Sequence, residues 1–300
     1  MDNYLVAMAT FAGIYALLAL GLNLVWGMAG MINLGLVGFF AFGAYVSALL
    51  TKKAGLPIVG GLVAAVVFTA AAGAIVALVT ARLRGDYLAI ITLGFSEVIR
   101  LVASNEIWLT NGTDGISGIA GPARGQVTPA TFNLIYLGIV ALVVLTAVFL
   151  MDRVRGAPYG RVLRAIRDDD QVAAVAGKAV VAFKVQAFAV SAGLLGLAGG
   201  LFAHYTSFIA PDGFTSLISI YVVLALTAGG TGNNRGAVLG AALVVFFMES
   251  TRFVTGGLPG LKPVQVAAVR ELLIGLSLIV VLRVRPAGIL PERIPRPVMP

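Results

Sequence analysis

Cysteine is absent from this 300-residue sequence, and histidine occurs only once, at position 204. The chain therefore has no disulfide bond, no thiolate nucleophile and no cysteine-ligated metal. A single histidine cannot build a multi-histidine metal site either. Charged residues make up only 11% of the chain. These absences argue against a membrane-embedded enzyme that relies on a metal or a nucleophile cluster.

Charge is missing altogether from several long stretches. Residues 3–51, 54–81, 125–151, 185–211 and 213–234 contain no Asp, Glu, Lys or Arg. Each is long enough for the roughly 20 apolar residues that cross a hydrocarbon core. The mean hydropathy of the whole chain is +1.00. The sequence therefore predicts an all-α, polytopic transmembrane helical bundle.

The apolar pattern predicts about 8–10 membrane spans in a single domain that covers residues 1–300. Candidate spans lie at 5–25, 34–50, 58–81, 87–104, 132–151, 185–205, 216–228, 237–254 and 266–282. A cytoplasmic location for the loop at 152–184 also makes the loops at 82–86 and 229–236 cytoplasmic. These segments and the residues after the last span then hold about two thirds of the 21 basic residues, as the positive-inside rule requires. Lys52 and Lys53 oppose this orientation locally. The net charge of +8 is then explained by membrane topology and gives no reason to expect a nucleic-acid partner.

The segment WGMAGMINLG, at 26–35, interrupts the first apolar run with three glycines and a polar Asn33. Open backbone is not tolerated against lipid, so this segment must lie in protein or beside a water-lined cavity. A broken or re-entrant helix that exposes backbone groups to a solute is one interpretation. An ordinary tight turn between two spans is the other.

The loop at 152–184 holds eleven of the 34 charged residues. Its apolar residues recur at three- and four-residue spacing and predict a short amphipathic helix within 160–177: Val162, Leu163, Ile166, Ala173 and Ala176. The spacing allows ion pairs of Arg164 with Asp168 and of Arg167 with Asp170. A helix this short needs a surface for its apolar side, which a protein partner would provide. The alternative is a solvated linker that carries topogenic arginines.

Several ordered motifs identify a family. The segments GLNLVWGMAGMINLGLVGFFAFGAY (21–45), LRGDYLAIITLGFSEVIRL (83–101), TNGTDGISGI (110–119), YGRVLRAIRDDDQVAAVAGKAVVAFKVQAFAVSAG (159–193), GGTGNNRGAVLGA (229–241) and RPAGIL (285–290) cover nearly the whole chain. Together they resemble the branched-chain amino acid permease subunits of bacterial ABC importers, of the LivM type. The resemblance implies a multi-pass protein of the bacterial inner membrane.

The resemblance also implies partners: a second, LivH-type permease subunit, two cytoplasmic ABC ATPases and a periplasmic amino-acid-binding protein. ATP and Mg would bind to the ATPases, and this chain would hold no cofactor of its own. The charged segment at 160–177 would be the coupling helix that sits in a cleft of an ATPase. The matching residues are Gly160, Arg161, Leu163, Arg164, Ala165, Ile166, Arg167, Asp168, Asp169 and Gly177.

Polar residues inside the predicted spans are candidates for the transport pathway or for gating. A zwitterionic amino acid needs amide and backbone groups, which Asn23 and Asn33 could supply. Glu97 with Arg100 and Glu249 with Arg252 stand three residues apart, so that each pair can neutralise itself. We expect these two pairs to serve structure more than gating, and His204 to be a packed side chain and not a proton relay.

Two other functions fit parts of the sequence. Closely similar permeases carry urea or short-chain amides, and nothing in the sequence excludes those cargoes. An ion-coupled secondary transporter or channel would need intramembrane carboxylates, for which Glu97, Glu249 and Glu271 are the candidates. No GxxxxGK[ST] motif occurs, so ATP binding by the chain itself is not expected. The glycine-rich GGTGNNRG at 229–236 follows an apolar helix and predicts an inter-helix turn.

Overall fold

The computed structural model of the chain describes residues 2–80, 85–256, 263–285 and 287–292. In chain order the helices are α1 (Asp2–Leu22), a π-helix (Asn23–Met28), α2 (Leu36–Lys52), α3 (Ile58–Thr80), α4 (Gly85–Asn105), α5 (Ile107–Thr110), α6 (Pro129–Gly156), α7 (Pro158–Asp168), α8 (Asp170–Val175), α9 (Val180–Thr206), α10 (Ser216–Gly229), α11 (Asn234–Gly256) and α12 (Pro263–Val284). Two-residue strands β1 (Ile116–Ser117) and β2 (Phe208–Ile209) pair antiparallel.

The helical membrane fold is confirmed. Among the described residues, six helices are long and apolar enough to cross a membrane, and α2 is apolar but shorter, at 17 residues. Across the described ranges, nine helices have 14 or more residues, and they correspond one to one with the nine predicted spans. The predicted loop residues 82–84 lie outside the described residues.

Some helices extend beyond their apolar parts. α6 begins three residues before the predicted span, because Pro129 suits a first turn and the Thr128 side chain accepts a hydrogen bond from the Thr131 amide. The same helix continues to Gly156, with Arg153 and Arg155 in its last turn, where basic side chains favour the helix dipole. The charged loop is therefore partly an extension of a membrane helix.

The centre of the bundle is α9, which packs against α1, α2 and α3. Glycines permit this close approach, since a Cβ on Gly199 would lie 2.8 Å from the Ala44 amide nitrogen of α2. A Cβ on Gly196 would meet the Thr69 side chain of α3. The small residues of GLLGLAGGLFA therefore serve packing within the subunit.

The two ends of the bundle carry different polar groups. At one end lie the π-helix, α7, α8, the turn between α10 and α11, and residues 287–292. At the opposite end Lys52 Nζ donates to Ser117 O at 2.5 Å, and Lys53 Nζ donates to Trp108 O at 3.0 Å. These contacts place Lys52 and Lys53 beside the segment that connects α4 to α6.

Candidate functional site at the Arg167 junction

The first apolar run is interrupted where the glycine-rich segment predicted a break. α1 continues into a π-helix from Asn23 to Met28, and the following residues 29–35 are not helical. Gly30 has φ +70°, a conformation that favours glycine, and Met31 N donates to Val25 O at 2.9 Å. Asn23, Gly27 and Met28 are buried in protein. The segment is therefore an irregular connection between two successive helices, α1 and α2, and protein surrounds its buried backbone.

Asn23 holds this break in place. Its side chain is fully buried; Nδ2 donates to Asn234 Oδ1 at 2.9 Å, and Oδ1 accepts from Gly232 N at 2.8 Å. Asn234 Nδ2 in turn donates to Asp152 Oδ1 at 2.8 Å. Because both ends of the Asn23 amide are bonded within the subunit, Asn23 is a structural link between α1, α6 and the start of α11. In this arrangement it is not open to a passing solute.

Arg167 connects α7 to the same break. Its Nη1 donates to Gly27 O at 2.5 Å and to Glu292 Oε2 at 2.8 Å, while the exposed Asp168 carboxylate lies 3.3 Å from Nε. The Arg167 side chain is only 22% exposed and that of Glu292 only 12%. A charged residue of a coupling helix is expected to face a partner or solvent, but Arg167 does not, because the nearby carbonyl and carboxylate draw the guanidinium inward. We call Asn23, Gly27, Arg167, Asn234 and Glu292 the Arg167 junction.

Arg167 carries its positive charge in this environment. Burial by itself lowers the pKa of the guanidinium, but the hydrogen bond and the charge of Glu292 outweigh this effect and leave the pKa above its ordinary value. The guanidinium therefore stays charged over the whole physiological pH range. A charge-assisted bond between two largely buried groups is stronger than a surface ion pair.

The last residues described pack beneath the turn between α10 and α11. Ile289 N donates to Ala228 O and Leu290 N to Gly229 O, each at 2.9 Å. Gly232 has φ +79°, and a Cβ there would lie 2.7 Å from the Glu292 carboxyl carbon. Glycine is thus required at 232 both for its conformation and for the close approach of Glu292.

The predicted coupling helix is two helices. α7 ends at Asp168, and Asp169 adopts an extended conformation in which its Oδ1 accepts from Gln171 N and Val172 N, so that it caps α8. Leu163, Ile166 and Ala173 are buried as the apolar spacing predicted, Val162 is half-buried, and Gly160 is buried as well. Ala176, which the pattern placed on the apolar side, is exposed because the break at Asp169 redirects the chain.

The predicted ion pairs within this helix are replaced by others. Arg164 Nη1 donates to Arg155 O at 3.3 Å, and Asp170 pairs with Lys184 of α9 at 3.0 Å. Arg167 pairs with Glu292 and not with Asp170. Arg161, Ala165, Asp168 and Asp169 remain exposed, and Gly177 turns the chain with φ +77°. α7 therefore has one face that packs against the rest of the subunit and one hydrophilic face that is exposed.

An open cavity of about 450 Å³ adjoins the junction. Residues 29–31 of the break line one part of it, and the run from Ile166 to Gln171 lines another, together with Thr80, Lys184 and Phe188. The irregular backbone after the π-helix thus reaches an open cavity beside α7 and α8.

The other predicted pathway residues lie apart from this junction. Asn33 is buried, and no donor among the described residues reaches its Oδ1. Arg100 Nη2 donates to Glu97 Oε1 at 2.5 Å on α4, which confirms the predicted local pair. Glu249 lies on α11 near Met8 and Phe11, and the side chain of Arg252 lies outside the described residues.

His204 is a packed side chain at the opposite end of the bundle. Its Nε2 lies 2.9 Å from Ser47 Oγ and its Nδ1 lies 2.6 Å from Ala120 O. Since a carbonyl only accepts, Nδ1 carries the proton and Nε2 accepts from Ser47. Both ring nitrogens are thus used to join α2, α9 and the loop before α6.

Sequence reasoning did not single out Asp152, Gly232, Asn234 and Glu292. The available signals were weak: two asparagines in a glycine-rich turn, and an acidic residue two positions after the RPAGIL motif. Their contacts depend on distant parts of the chain, since Asn23 and Asn234 are 211 residues apart.

Comparison with known proteins supplies the family. Residues 4–282 match the family described as "Branched-chain amino acid transport system / permease component". The chain belongs to this family. No solved structure matches it.

The chain is similar to several named members of this permease family. The "High-affinity branched-chain amino acid transport system permease protein LivM" of Salmonella typhimurium is 37% identical, and that of Escherichia coli 38%, over 82% of this chain. The chain spans 63% of the length of these two relatives. A "Probable branched-chain amino acid transport permease protein LivM" of Methanocaldococcus jannaschii is 28% identical over 94% of this chain and 91% of its own length. LivH of Escherichia coli is 24% identical over 78% of this chain and 80% of its own length.

Proposed function

We propose that this chain is a transmembrane permease subunit of an ATP-driven ABC importer in the bacterial inner membrane. It would admit branched-chain or similar neutral amino acids that a periplasmic binding protein delivers. The observation that carries the proposal is the Arg167 junction, where a hydrophilic helix is bonded directly to the π-helix at the end of a membrane helix. Relatives named as branched-chain amino acid permeases support the same function.

The proposed partners follow from the relatives and from the exposed side of α7. A LivH-type permease would form the other half of the membrane unit, as the names of the LivM and LivH relatives suggest. Two cytoplasmic ATPases would hydrolyse ATP with Mg. One of them would contact the exposed residues Arg161, Ala165, Asp168 and Asp169. This subunit itself performs no catalysis.

Energy transfer in this proposal is mechanical. Leu163, Ile166 and Arg167 hold α7 to the subunit, so an ATPase that displaces the exposed face of α7 also displaces Gly27 and the π-helix. The π-helix has irregular hydrogen bonding and is a point where a long helix yields readily. ATP-driven closure of the ATPases would then favour one of two arrangements of the break.

The cargo is proposed from what lines the broken segment. A neutral amino acid is a zwitterion that needs polar groups more than fixed ions. Asn33 follows the break and has a buried Oδ1 without a donor among the described residues, although such groups are normally bonded. We expect Asn33→Leu to reduce uptake while thermal stability stays the same or rises, because no bond within the subunit is lost. Unchanged uptake would remove Asn33 from the pathway.

The decisive experiment is to purify the chain together with the proteins that accompany it and to reconstitute the assembly in vesicles. ATP hydrolysis should rise when a binding protein loaded with isoleucine is added, and labelled isoleucine should accumulate. Competition with urea or acetamide in place of leucine tests the alternative cargo. Uptake driven by a proton gradient without ATPases would contradict the proposal.

A further inference from the structure

One face of α4 is exposed although it carries an ion pair. α4 packs mainly on α2, where Phe95 stacks on Phe39 at 4.6 Å between ring centroids, and Gly35 and Gly38 approach Thr92 and Ser96 closely. The opposite face presents apolar residues to the outside of the subunit: Tyr87, Ile90, Val98 and Leu101. Glu97 and Arg100 lie within this face, with side chains 46% and 30% exposed.

The depth of the pair makes lipid an unfavourable environment. Glu97 precedes the end of α4 at Asn105 by eight residues, or about 12 Å at the usual rise of an α-helix. Arg100 could reach the membrane surface only by extending toward that end. Instead its Nε lies 3.1 Å from both Glu97 carboxylate oxygens, and Nη2 bonds Oε1, so the guanidinium points back into the membrane. A pair that does not reach the headgroups is costly against hydrocarbon.

The outward faces of α3 and α6 lack charged residues. Residues 58–80 of α3 and 129–151 of α6 contain no charged side chain. Their outward residues include Val63 and Leu142, which are 57% and 66% exposed. These faces suit hydrocarbon tails, so the charged face of α4 has a different neighbour.

A second permease subunit of the same fold fits this face. LivH relatives align with 78% of this chain and 80% of their own length, so two related subunits can associate about a pseudo-two-fold axis normal to the membrane. A helix near such an axis meets its counterpart at the same depth. Open space around Gly94 allows close approach. We infer that the face of α4 formed by Ile90, Gly94, Glu97, Val98 and Leu101 packs against the second permease subunit.

This inference rests on the proposed function and can be tested by photo-crosslinking in the intact assembly. A photoreactive phenylalanine analogue replaces Ile90 or Val98, which are 66% and 56% exposed, with Val63 and Leu142 as controls of matched exposure. After irradiation of membranes that contain all subunits, a product with the combined mass of the two permeases should form at 90 and 98. It should not form at 63 or 142.

The outcomes separate the inference from the function. If the second permease co-purifies but crosslinks only at 63 or 142, or if positions 90 and 98 capture lipid or another copy of this chain, the inference is wrong and the proposed function stands. If no second permease co-purifies and ATP does not drive uptake, the proposed function fails as well. Crosslinking to the second permease at 90 and 98 supports the inference.

Discussion

Replacement of Arg167 by methionine tests whether the junction transmits force. Methionine keeps much of the length and apolar volume of the side chain but removes three contacts: with Gly27 O at 2.5 Å, with Glu292 at 2.8 Å and with Asp168 at 3.3 Å. The last contact is worth little, because Asp168 is 71% exposed. The effect should therefore come from Gly27 and Glu292.

The expected loss of stability is about 2–4 kcal/mol, because Arg167→Met strands the Glu292 carboxylate with little access to water. Glu292→Met should cost less, about 1–2 kcal/mol, since the guanidinium keeps Gly27 O as a partner. The double variant should cost less than the sum of the two single variants, because no unpaired carboxylate remains. Lys178→Met, at an exposed position after α8, is the control and should leave stability unchanged.

The measurements are thermal unfolding in detergent and the ratio of amino acid imported to ATP hydrolysed in reconstituted vesicles. We expect Arg167→Met to keep ATP hydrolysis and to lower this ratio. Arg161→Met should instead weaken contact with the ATPase without destabilising the permease, since Arg161 is exposed. If Arg167→Met unfolds and transports like the unmodified protein, the junction does not connect α7 to the break.

Two other contacts give direct predictions. Asn23→Leu leaves Gly232 N and Asn234 Oδ1 without their buried partner, so the free energy of unfolding should fall by about 2–4 kcal/mol. An unchanged thermal transition would contradict the assigned network. Ser47→Ala removes the donor to His204 Nε2 and should cost about 1 kcal/mol. Hydrogen exchange at residues 116–121 should rise in the Ser47 variant, because His204 also holds Ala120; the same exchange rate would show that the loop is held by other contacts.

Much of the fold could be predicted from the sequence, because a segment that crosses a lipid bilayer must be apolar and must satisfy its own backbone hydrogen bonds as a helix. Stretches without charge had to be helices, and the nine predicted spans correspond to nine helices. The glycines of WGMAGMINLG indicated a break, and the apolar spacing of Leu163 and Ile166 identified the buried side of α7. These features depend on neighbours within one helix.

The junction could not be predicted in the same way. The spacing allowed Arg167 to pair with Asp170, and nothing near it in the sequence indicates Glu292, 125 residues away. Likewise the helix over 160–177 was predicted as one element, although Asp169 is a good cap for a new helix. Local periodicity does not reveal which distant carbonyl or carboxylate completes a buried bond.

The junction also explains why α7 can act as a mechanical element although it is short. An isolated helix of 11 residues is marginal in water. A helix that frays would unfold locally when it is displaced and would not transmit the displacement. Leu163 and Ile166 fix its apolar side, while Arg167 fixes its end to Gly27 and Glu292. A displacement of α7 must therefore either break a charge-assisted bond or move the π-helix, and the irregular turn from Val25 to Met31 offers the lower resistance.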